Sequence, residues 1–388
     1  MNIKEIDKIK EAYHYQINKI DYFENEFWTS KQRQGNALHE ISYRACFKSE
    51  LPKFFISHFS KEKDIIYDPF SGRGTTIIEA LLNNRYGISN DVNLLNKIYT
   101  EGRLYLPTLS KIEERLNDFV YENLKCDIDL SMFYHHKTLN EILNFKKYFI
   151  NNKLDYIDKW IRMVITSYLH GHSNGHLSVR TLPPNLSITQ KGQQKLNIKN
   201  KTEFIYKEIK YRILKKSKSL LKHITDDIRK NTQNNLKHFQ FYNKDARQTK
   251  EIPNNYIQLT ITSPPFLNIV DYKHENWIKM WFNDIKLNDE ITMSKTVSEW
   301  SIVMQQVFDE LYRITKNNGF VMFEVGELKN IKLDEIVVPL GINSGFKCLG
   351  VLINQQSFTK TSNIFGVSNN TKGTNTNRIV MFQKCSIK

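Results

Sequence analysis

The sequence predicts an α/β protein whose mostly parallel sheet is interrupted by a helical insertion. The first observation is an apolar run at 65–67 that enters a glycine-bearing turn, followed by a helix at 76–82 and a second short strand at 85–89. Strand, glycine turn, helix and strand in this order open a nucleotide-binding α/β unit. The second observation is the return of strand-like patterning after residue 236.

Helical periodicity dominates the middle of the chain and divides the prediction into two parts. Few strand signals occur between 116 and 234, where apolar residues recur at helical spacing. We therefore expect an α/β domain formed by 1–115 and 235–388, and a helical insertion at 116–234. Residues 1–60 are expected to be helical and mixed. The apolar runs at 347–353 and 378–383 predict a closing antiparallel pair.

The composition is that of a globular protein. The chain has 388 residues, of which 40% are hydrophobic and 25% are charged. No apolar stretch is long enough to cross a membrane, and the charged amino-terminal residues do not form a signal peptide, so the expected location is the cytoplasm. Four cysteines lie scattered without CxxC spacing, so we predict neither a disulfide framework nor a metal site.

The net charge restricts the class of partner. A formal charge of +15 attracts polyanions, and nucleic acid is the commonest polyanion in a cytoplasm. The alternative is a basic surface that has no specific partner. Charge indicates a class of partner and leaves the reaction open.

The glycine turn predicts a ligand site. Gly72 and Gly74 lie between the first strand and its helix, where glycine lets a ligand approach the backbone closely. Asp91 follows the second strand, where an acid is placed to accept hydrogen bonds from ribose hydroxyls. A single GxG is more often only a tight turn, and the absence of GxxxxGK[ST] disfavours an ATP phosphate loop.

A second motif, Ser263-Pro264-Pro265-Phe266, directly follows an apolar strand. Because two prolines fix the backbone, the serine hydroxyl and a proline carbonyl can both accept hydrogen bonds from an amino group. An adjacent aromatic ring can stack on a planar base that carries this amino group. Taken alone, the motif is more often an ordinary turn.

Together the two motifs resemble those of the DNA amino-methyltransferases, the family that modifies cytosine N4 or adenine N6. The run from Asp68 to Thr76 is similar to that family's cofactor motif, and Ser263-Pro264-Pro265-Phe266 to its catalytic motif in the serine form typical of cytosine-N4 enzymes. The resemblance implies S-adenosyl-L-methionine as cofactor. The catalytic residues would then be Ser263, Pro264, Pro265 and Phe266. The cofactor-binding residues would be Tyr43, Asp68, Pro69, Phe70, Gly72, Gly74, Thr75, Thr76, Asp91, Asp245 and Thr262.

The resemblance also implies a Rossmann-like class I methyltransferase fold with a seven-stranded, mostly parallel sheet. The implied reaction methylates cytosine N4 in double-stranded DNA after the base is flipped from the helix. The usual setting would be a restriction–modification system whose nuclease is a separate chain. Methylation at cytosine C5 needs a cysteine nucleophile, usually after a proline, and none of the four cysteines follows one.

Some features leave alternatives open. The cofactor motif precedes the catalytic motif, the reverse of many serine-type members, and Phe266 stands where tyrosine is commoner. Adenine N6 as the target, an RNA substrate, and a non-catalytic nucleic-acid-binding protein therefore remain alternatives.

The helical insertion at 116–234 is expected to contribute to target recognition, and two basic or polar segments within it are candidates for DNA contact. One is the irregular stretch at 170–192, whose histidines lack the spacing of a zinc site. The other is a basic amphipathic helix predicted at 201–230, which is more often a solvated surface. The residues proposed to contact DNA are His170, His172, Arg180, Lys215, Lys216 and Lys218.

Overall fold

A computed structural model of the chain describes residues 3–28, 35–43, 46–181, 189–265, 272–286, 294, 296–328, 331–355 and 377–386. Its strands are β1 (Tyr13–Ile17), β2 (Ile20–Asn25), β3 (Ile65–Asp68), β4 (Tyr86–Asn90), β5 (Gln240–Tyr242), β6 (Ile257–Thr262), β7 (Thr315–Val325), β8 (Glu327–Leu328), β9 (Ile331–Lys332), β10 (Lys347–Asn354) and β11 (Asn377–Gln383). Its α-helices are α1 (Asp7–Lys10), α2 (Glu50–Phe59), α3 (Thr75–Leu82), α4 (Leu95–Gly102), α5 (Leu109–Asn117), α6 (His136–Asn151), α7 (Tyr156–Tyr168), α8 (Gln190–Asn200), α9 (Ile209–Leu220), α10 (Asp226–Asn235), α11 (Tyr272–Phe282), α12 (Val297–Ile314) and α13 (Leu333–Asn343).

One large sheet organises the fold, in the order β1-β2-β10-β11-β7-β6-β3-β4-β5. Strands β7, β6, β3, β4 and β5 run parallel to one another, and β11 is antiparallel to both β7 and β10. The predicted α/β class with a mostly parallel sheet and a closing antiparallel pair is confirmed. The predicted number of seven strands is wrong, because the described sheet contains nine.

The additional strands β1 and β2 form a hairpin within the region expected to be helical and mixed. Asn18 and Lys19 make its two-residue turn, with φ of 49° and 66°. Positive φ at both central positions gives a turn whose twist matches that of the strands. Strand β2 then pairs in parallel with β10, and its Tyr22 and Phe23 are buried on opposite faces of the sheet.

The helix predicted at 201–230 is wrong in extent. Helices α9 and α10 occupy only parts of it, and 201–208 contains no helix. Lys201 has a left-handed φ of 46° and ends α8. Thr138 on α6 then holds the extended backbone, because its hydroxyl accepts from the Lys207 amide at 2.9 Å and donates to the Lys207 carbonyl at 3.1 Å. These contacts from another helix override the local helical pattern.

Three apolar clusters make up the core. One face of the sheet packs against α12 and α13, and the other against α2. The third cluster joins α3 and α4 to the insertion helices α5, α6, α7 and α9, and to α11. Because this cluster crosses the proposed boundaries at 115 and 235, the division into a catalytic domain and an insertion stays a prediction. Among the described residues, no helix is long and apolar enough to cross a membrane.

Candidate active site

The glycine turn between β3 and α3 has the backbone geometry that its sequence predicts. Gly72 and Gly74 have φ of 51° and 79°, in the left-handed region that glycine enters without strain. A β-carbon on Gly72 would lie 3.3 Å from the Tyr43 ring, and one on Gly74 would lie 2.1 Å from the Thr100 hydroxyl oxygen. The turn is therefore closely covered, and Tyr43 lies against it; cofactor binding by Tyr43 stays a prediction.

Asp91 directly follows β4 and is tied to the same turn. One carboxylate oxygen accepts from the Gly72 amide at 2.8 Å, and the other accepts from the Asn93 amide at 2.8 Å. Burial raises the pKa of the Asp91 carboxyl to about 6 despite these two bonds. Each oxygen retains a further acceptor position, so the side chain can accept ribose hydroxyls.

Asp68 links the cofactor turn to the strand that carries the catalytic motif. Its carboxylate accepts from the Thr262 hydroxyl at 2.6 Å and from the Phe70 amide at 3.1 Å. The Thr76 hydroxyl adds a second link, donating to the Ile261 carbonyl at 3.2 Å. Burial raises the pKa of the Asp68 carboxyl to about 7, so this link includes a group that titrates near neutrality.

Ser263 follows β6 beside a buried acid that the sequence analysis did not identify. Thr262 pairs with Phe323 of the parallel neighbour β7, so the next residues along the two strands are Ser263 and Glu324. The Ser263 hydroxyl hydrogen-bonds to the Glu324 carboxylate, and the Asn377 amide donates to the same carboxylate at 2.6 Å. Burial raises the pKa of Glu324, whose side chain is almost inaccessible.

The two prolines after Ser263 differ in their surroundings. Pro264 is buried and Pro265 is exposed. The indole N–H of Trp300 on α12 donates to the Pro265 carbonyl at 3.1 Å, which fixes the turn from the opposite side. Phe266, the aromatic residue of the predicted catalytic motif, lies outside the described residues.

Two buried polar atoms at the glycine turn support a ligand there. The Ser71 hydroxyl oxygen and the Asn93 amide nitrogen have no hydrogen-bond partner among the described residues. Since buried polar groups are normally hydrogen-bonded, such atoms beside Asp91 fit a polar ligand that the protein holds when loaded. Donors and acceptors of this kind suit the ribose and amino-acid parts of S-adenosyl-L-methionine.

The remaining predicted cofactor residues support the turn or lie at its edge. The Pro69 carbonyl accepts from Asn90 at 3.3 Å, while the Thr75 hydroxyl accepts from Arg73 at 3.1 Å. Phe70 is half-buried.

Asp245 follows β5, next to the end of β4. Its carboxylate is engaged by Arg247, whose Nε lies 2.9 Å from one oxygen. This ion pair lowers the pKa of Asp245. Asp245 also lies near Asp91 along the chain path, because the side-chain amide of Asn243, two residues earlier, donates to the Asp91 carbonyl at 2.6 Å.

Arg103 is a further residue that the sequence analysis missed. Its buried guanidinium donates to the Tyr99 carbonyl at 3.0 Å, to the Leu38 carbonyl at 3.1 Å and to the Arg73 carbonyl within the glycine turn. Burial lowers its pKa to about 9. A single arginine thereby joins α4, the segment before Tyr43 and the turn. No local pattern marks it, because its partners are all backbone carbonyls.

The six residues proposed to contact DNA separate into two groups. Lys215, Lys218 and Arg180 are exposed, and Arg180 hydrogen-bonds to His172 at 2.8 Å. His170, His172 and Lys216 are less accessible: burial lowers the pKa of His170 well below its usual value, and the Lys216 ammonium donates to the Glu40 carbonyl. For all six residues, contact with DNA stays a prediction.

The sheet order, the glycine turn after β3 and the acid after β4 define a class: α/β proteins that bind a nucleotide-containing cofactor at the carboxyl ends of parallel strands. A family model described as DNA methylase, covering N6 and N4 enzymes, matches residues 2–98. The match covers about a quarter of the chain, including the glycine turn, and over this part the chain resembles the family. It supports the resemblance drawn from the sequence and, with it, S-adenosyl-L-methionine as the cofactor.

Two curated relatives extend the comparison. The chain is 24% identical over 289 residues to Type II methyltransferase M.BsoBI of Geobacillus stearothermophilus, covering 68% of this chain and 56% of that protein. It is 39% identical over 62 residues to Orphan methyltransferase M.BamHII of Bacillus amyloliquefaciens, covering 16% of this chain and 23% of that protein. The match thus spans about half or less of these relatives.

Solved structures resemble the chain only distantly. The rRNA methyltransferase aviRa from Streptomyces viridochromogenes covers 90% of both chains at 9% identity, with a TM-score of 0.36. TrmN from Thermus thermophilus is 9% identical, covering 88% of this chain and 50% of that one, with a TM-score of 0.33. At these scores the likeness adds nothing to what the sheet order itself establishes.

Proposed function

We propose that this protein transfers a methyl group from S-adenosyl-L-methionine to the exocyclic N4 amino group of a cytosine in double-stranded DNA. The observation that carries the proposal is the hydrogen bond from Ser263 to the buried carboxylate of Glu324, at the end of a parallel strand. Because the serine proton points to Glu324, the lone pairs of the serine oxygen remain available to an incoming amino group.

Hydrogen-bond acceptors at the end of β6 would make the exocyclic amine a better nucleophile. The lone pair of an exocyclic amine is delocalised into the base, which makes the nitrogen a poor nucleophile. Acceptors at the Ser263 oxygen and the Pro264 carbonyl would draw the two amino protons and localise that lone pair. The Trp300 bond to the Pro265 carbonyl positions both acceptors, so that geometry and electrostatics do the catalytic work.

Glu324 also provides a destination for the proton that the amino group must lose. The N–C bond would form as the methyl C–S bond breaks, with the bonding pair left on sulfur. One amino proton would then move to the Ser263 oxygen as the serine proton moves to the Glu324 carboxylate. The raised pKa of Glu324 makes the carboxylate a better proton acceptor than an exposed glutamate. Its second partner, Asn377, holds the carboxylate in place at 2.6 Å.

Residues of the glycine turn would hold the cofactor. Bound S-adenosyl-L-methionine supplies an electrophilic methyl group. Asp91 would accept the ribose hydroxyls, Gly72 and Gly74 would let the ligand approach the backbone, and Tyr43 would cover it from the side where its ring now meets Gly72. The link from Asp68 to Thr262 then sets the distance between this site and Ser263.

The target base has to leave the duplex to reach Ser263, at a cost of about a few kcal/mol. We propose that Phe266 recovers part of this by stacking on the flipped base, worth about 1–3 kcal/mol. The serine form of the motif favours cytosine over adenine as the target. The family includes enzymes of both kinds, so methylation of adenine N6 is the nearest alternative.

The biological role we infer is DNA modification that protects self DNA from a separate nuclease chain. This role is supported by the similarity of the chain to M.BsoBI, which is described as a Type II methyltransferase. A cognate nuclease would then cut unmodified DNA at the same sequence.

Label transfer from tritiated S-adenosyl-L-methionine to long, unmethylated duplex DNA tests the reaction. Nucleoside digestion and mass spectrometry then identify the product. We expect N4-methylcytosine, with loss of label for Ser263→Ala and a strong decrease for Phe266→Ala. The matched control is Ser301→Ala, which removes a serine hydroxyl that only donates to the Val297 carbonyl on α12.

The product distinguishes the alternatives. Label in N6-methyladenine would overturn the choice of base and keep the reaction class. Transfer to RNA with none to DNA, or no transfer at all from a chain that binds the cofactor, would overturn the proposal. Full activity of Ser263→Ala would overturn the role of the serine.

A further inference from the structure

An exposed basic stripe runs along α9 and just beyond it. We define the stripe as Tyr211, Lys215 and Lys218, whose spacing of 4 and 3 residues places them on one side of α9, together with Lys222 in the turn that follows. All four are exposed. The opposite side of α9 is buried through Ile209, Ile213, Ser217 and Leu220. The helix therefore presents two distinct faces, one packed and one cationic.

No acid compensates the stripe locally. Helix α9 contains neither Asp nor Glu, and in the part of the chain that the structure describes none of the three lysines forms an ion pair. The Lys215 ammonium lies 5.8 Å from the centre of the Tyr211 ring, so the lysine makes a cation–π contact within the stripe and has no acidic partner among the described residues. Exposed cations that form no ion pair keep their attraction for an external polyanion.

The packed face fixes the position of the stripe relative to the active site. The Trp160 indole N–H donates to the Ser217 hydroxyl at 2.9 Å, and the Lys216 ammonium donates to the Glu40 carbonyl. Just beyond the helix, His223 accepts from the Ala37 amide at 3.1 Å. Helix α9 is thereby held against the segment that contains Ala37 and Glu40.

That segment in turn contacts the glycine turn. The Arg73 guanidinium donates to the His39 carbonyl at 3.1 Å and to the Ile41 carbonyl at 3.2 Å. Since Arg73 lies at the carboxyl end of β3, α9 is anchored on the side of the sheet where Ser263 and Asp91 lie. A ligand that reaches the active site from solvent passes close to this side of the insertion.

We propose that the stripe binds the sugar-phosphate backbone of the DNA duplex whose base is methylated. This inference rests on the proposed function and adds a surface to it. Lys215 and Lys218 are separated by about 4.5 Å along the axis of α9, at about 1.5 Å per residue, and Lys222 lies in the turn just beyond the helix. Phosphates on one DNA strand repeat every ~3.4 Å along the duplex axis, so the three lysines match a few successive phosphates. Such contacts orient the duplex without reading its sequence.

The test is the salt dependence of duplex binding, measured by fluorescence anisotropy with an unmethylated labelled duplex. The variant is Lys215→Gln/Lys218→Gln/Lys222→Gln in the full chain. Each lost phosphate contact lowers the slope of log K against log salt by about 0.9, so we expect a decrease of about 2–3 in slope and at least tenfold weaker binding at low salt. Affinity for S-adenosyl-L-methionine should stay unchanged.

The matched control removes the same charge from the opposite edge of the sheet. Lys61, Lys63 and Lys347 are exposed and lie at the amino ends of β3 and β10. Lys61→Gln/Lys63→Gln/Lys347→Gln should keep the wild-type slope. Equal losses in the two triple variants would overturn the proposal, since net charge alone would then explain binding.

The outcomes separate this inference from the proposed function. A wild-type slope in the stripe variant, with methylation intact, overturns the stripe and leaves the reaction standing. A reduced slope in a protein that methylates no DNA supports the stripe as a DNA contact and overturns the proposed reaction.

Discussion

The proposed cofactor turn and the proposed catalytic turn, called the cofactor turn and the catalytic turn below, lie at the same edge of one sheet, yet they are held in different ways. The cofactor turn, Asp68–Thr76, is fixed from several sides: Asp91 accepts from Gly72, Asn96 donates to the Gly72 carbonyl at 3.0 Å, and Arg103 donates to the Arg73 carbonyl. The catalytic turn, Ser263–Pro265, is held by Glu324 at one end and Trp300 at the other.

The difference follows from what each turn has to do. A binding site gains affinity when its backbone is already in the bound geometry, so many fixed contacts suit the cofactor turn. A catalytic turn needs acceptors whose charge responds during the reaction, so a buried carboxylate suits Ser263. Variants at the catalytic turn should therefore lower turnover, and variants at the cofactor turn should lower cofactor affinity.

Glu324→Gln should have the largest effect and act on turnover. The variant keeps the size of the side chain and an acceptor for Ser263, but it removes the charge that receives the proton. We expect kcat to fall by about 10²–10³-fold, within the range of general acid–base contributions. The dissociation constant of S-adenosyl-L-methionine, measured by calorimetry, should change little.

A second buried carboxylate provides the control for this variant. Asp158 in the insertion is nearly inaccessible and is paired with Arg115, far along the chain from either turn. Asp158→Asn should lower the free energy of unfolding but leave kcat per folded molecule near that of the wild type. If both variants reduced kcat alike, the loss would be structural and Glu324 would have no special role.

The same contrast explains what the sequence predicts and what it cannot. The glycine turn and Asp91 are predictable because left-handed glycines and an acid after the next strand follow from local chain geometry. Glu324 is not, because its role depends on the pairing of β6 with β7 across many intervening residues. An acid inside the apolar run at 320–325 is the local signal that could have drawn attention to it.

Two errors in the fold have similar physical causes. Strand β1 is mostly exposed, and only Tyr15 and Ile17 pack partly against the core, so its short pattern did not predict a strand. Its turn uses Lys19 in the left-handed region, where Asn or Gly would have been a clear signal. The segment at 201–208 has helical periodicity, but Thr138 on α6 holds it extended. In both places non-local contacts outweigh local preference.

Asp91→Asn should act on binding, with a smaller effect. A hydrogen bond to a charged acceptor contributes about 1.5–3 kcal/mol, so we expect the affinity for S-adenosyl-L-methionine to fall by about 10- to 100-fold. The wild-type affinity should also depend on pH. Because the ionised carboxylate is the stronger acceptor and its pKa is about 6, affinity should be nearly complete about one pH unit above this pKa and should decline as the pH falls through it.

The pH profile distinguishes Asp91 from Asp68. Asp91→Asn should remove the decline below pH 6, whereas any dependence that persists near pH 7 would report Asp68. The control is Asp64→Asn, since Asp64 also accepts a backbone amide, that of Lys61 at 2.7 Å, but at the opposite edge of the sheet. A wild-type pH profile in Asp91→Asn would contradict the assignment of ribose binding to Asp91.

Trp300→Phe should have the smallest effect and should again act on turnover. Phenylalanine retains an aromatic ring in the core next to α12 but cannot donate to the Pro265 carbonyl. A neutral hydrogen bond is worth about 0.5–1.5 kcal/mol, so we expect kcat to fall by about three- to tenfold as the acceptors at Ser263 and Pro264 lose their fixed position.

Trp160→Phe is the matched control, because it removes an equivalent indole bond, to Ser217 at 2.9 Å, within the insertion. Steady-state assays at saturating DNA and cofactor should show a lower kcat for Trp300→Phe alone. The free energy of unfolding should decrease by similar amounts in the two variants. A loss of cofactor affinity in Trp300→Phe would break the comparison, because it would mean that the two turns are coupled through the link from Asp68 to Thr262 and do not act as separate binding and catalytic units.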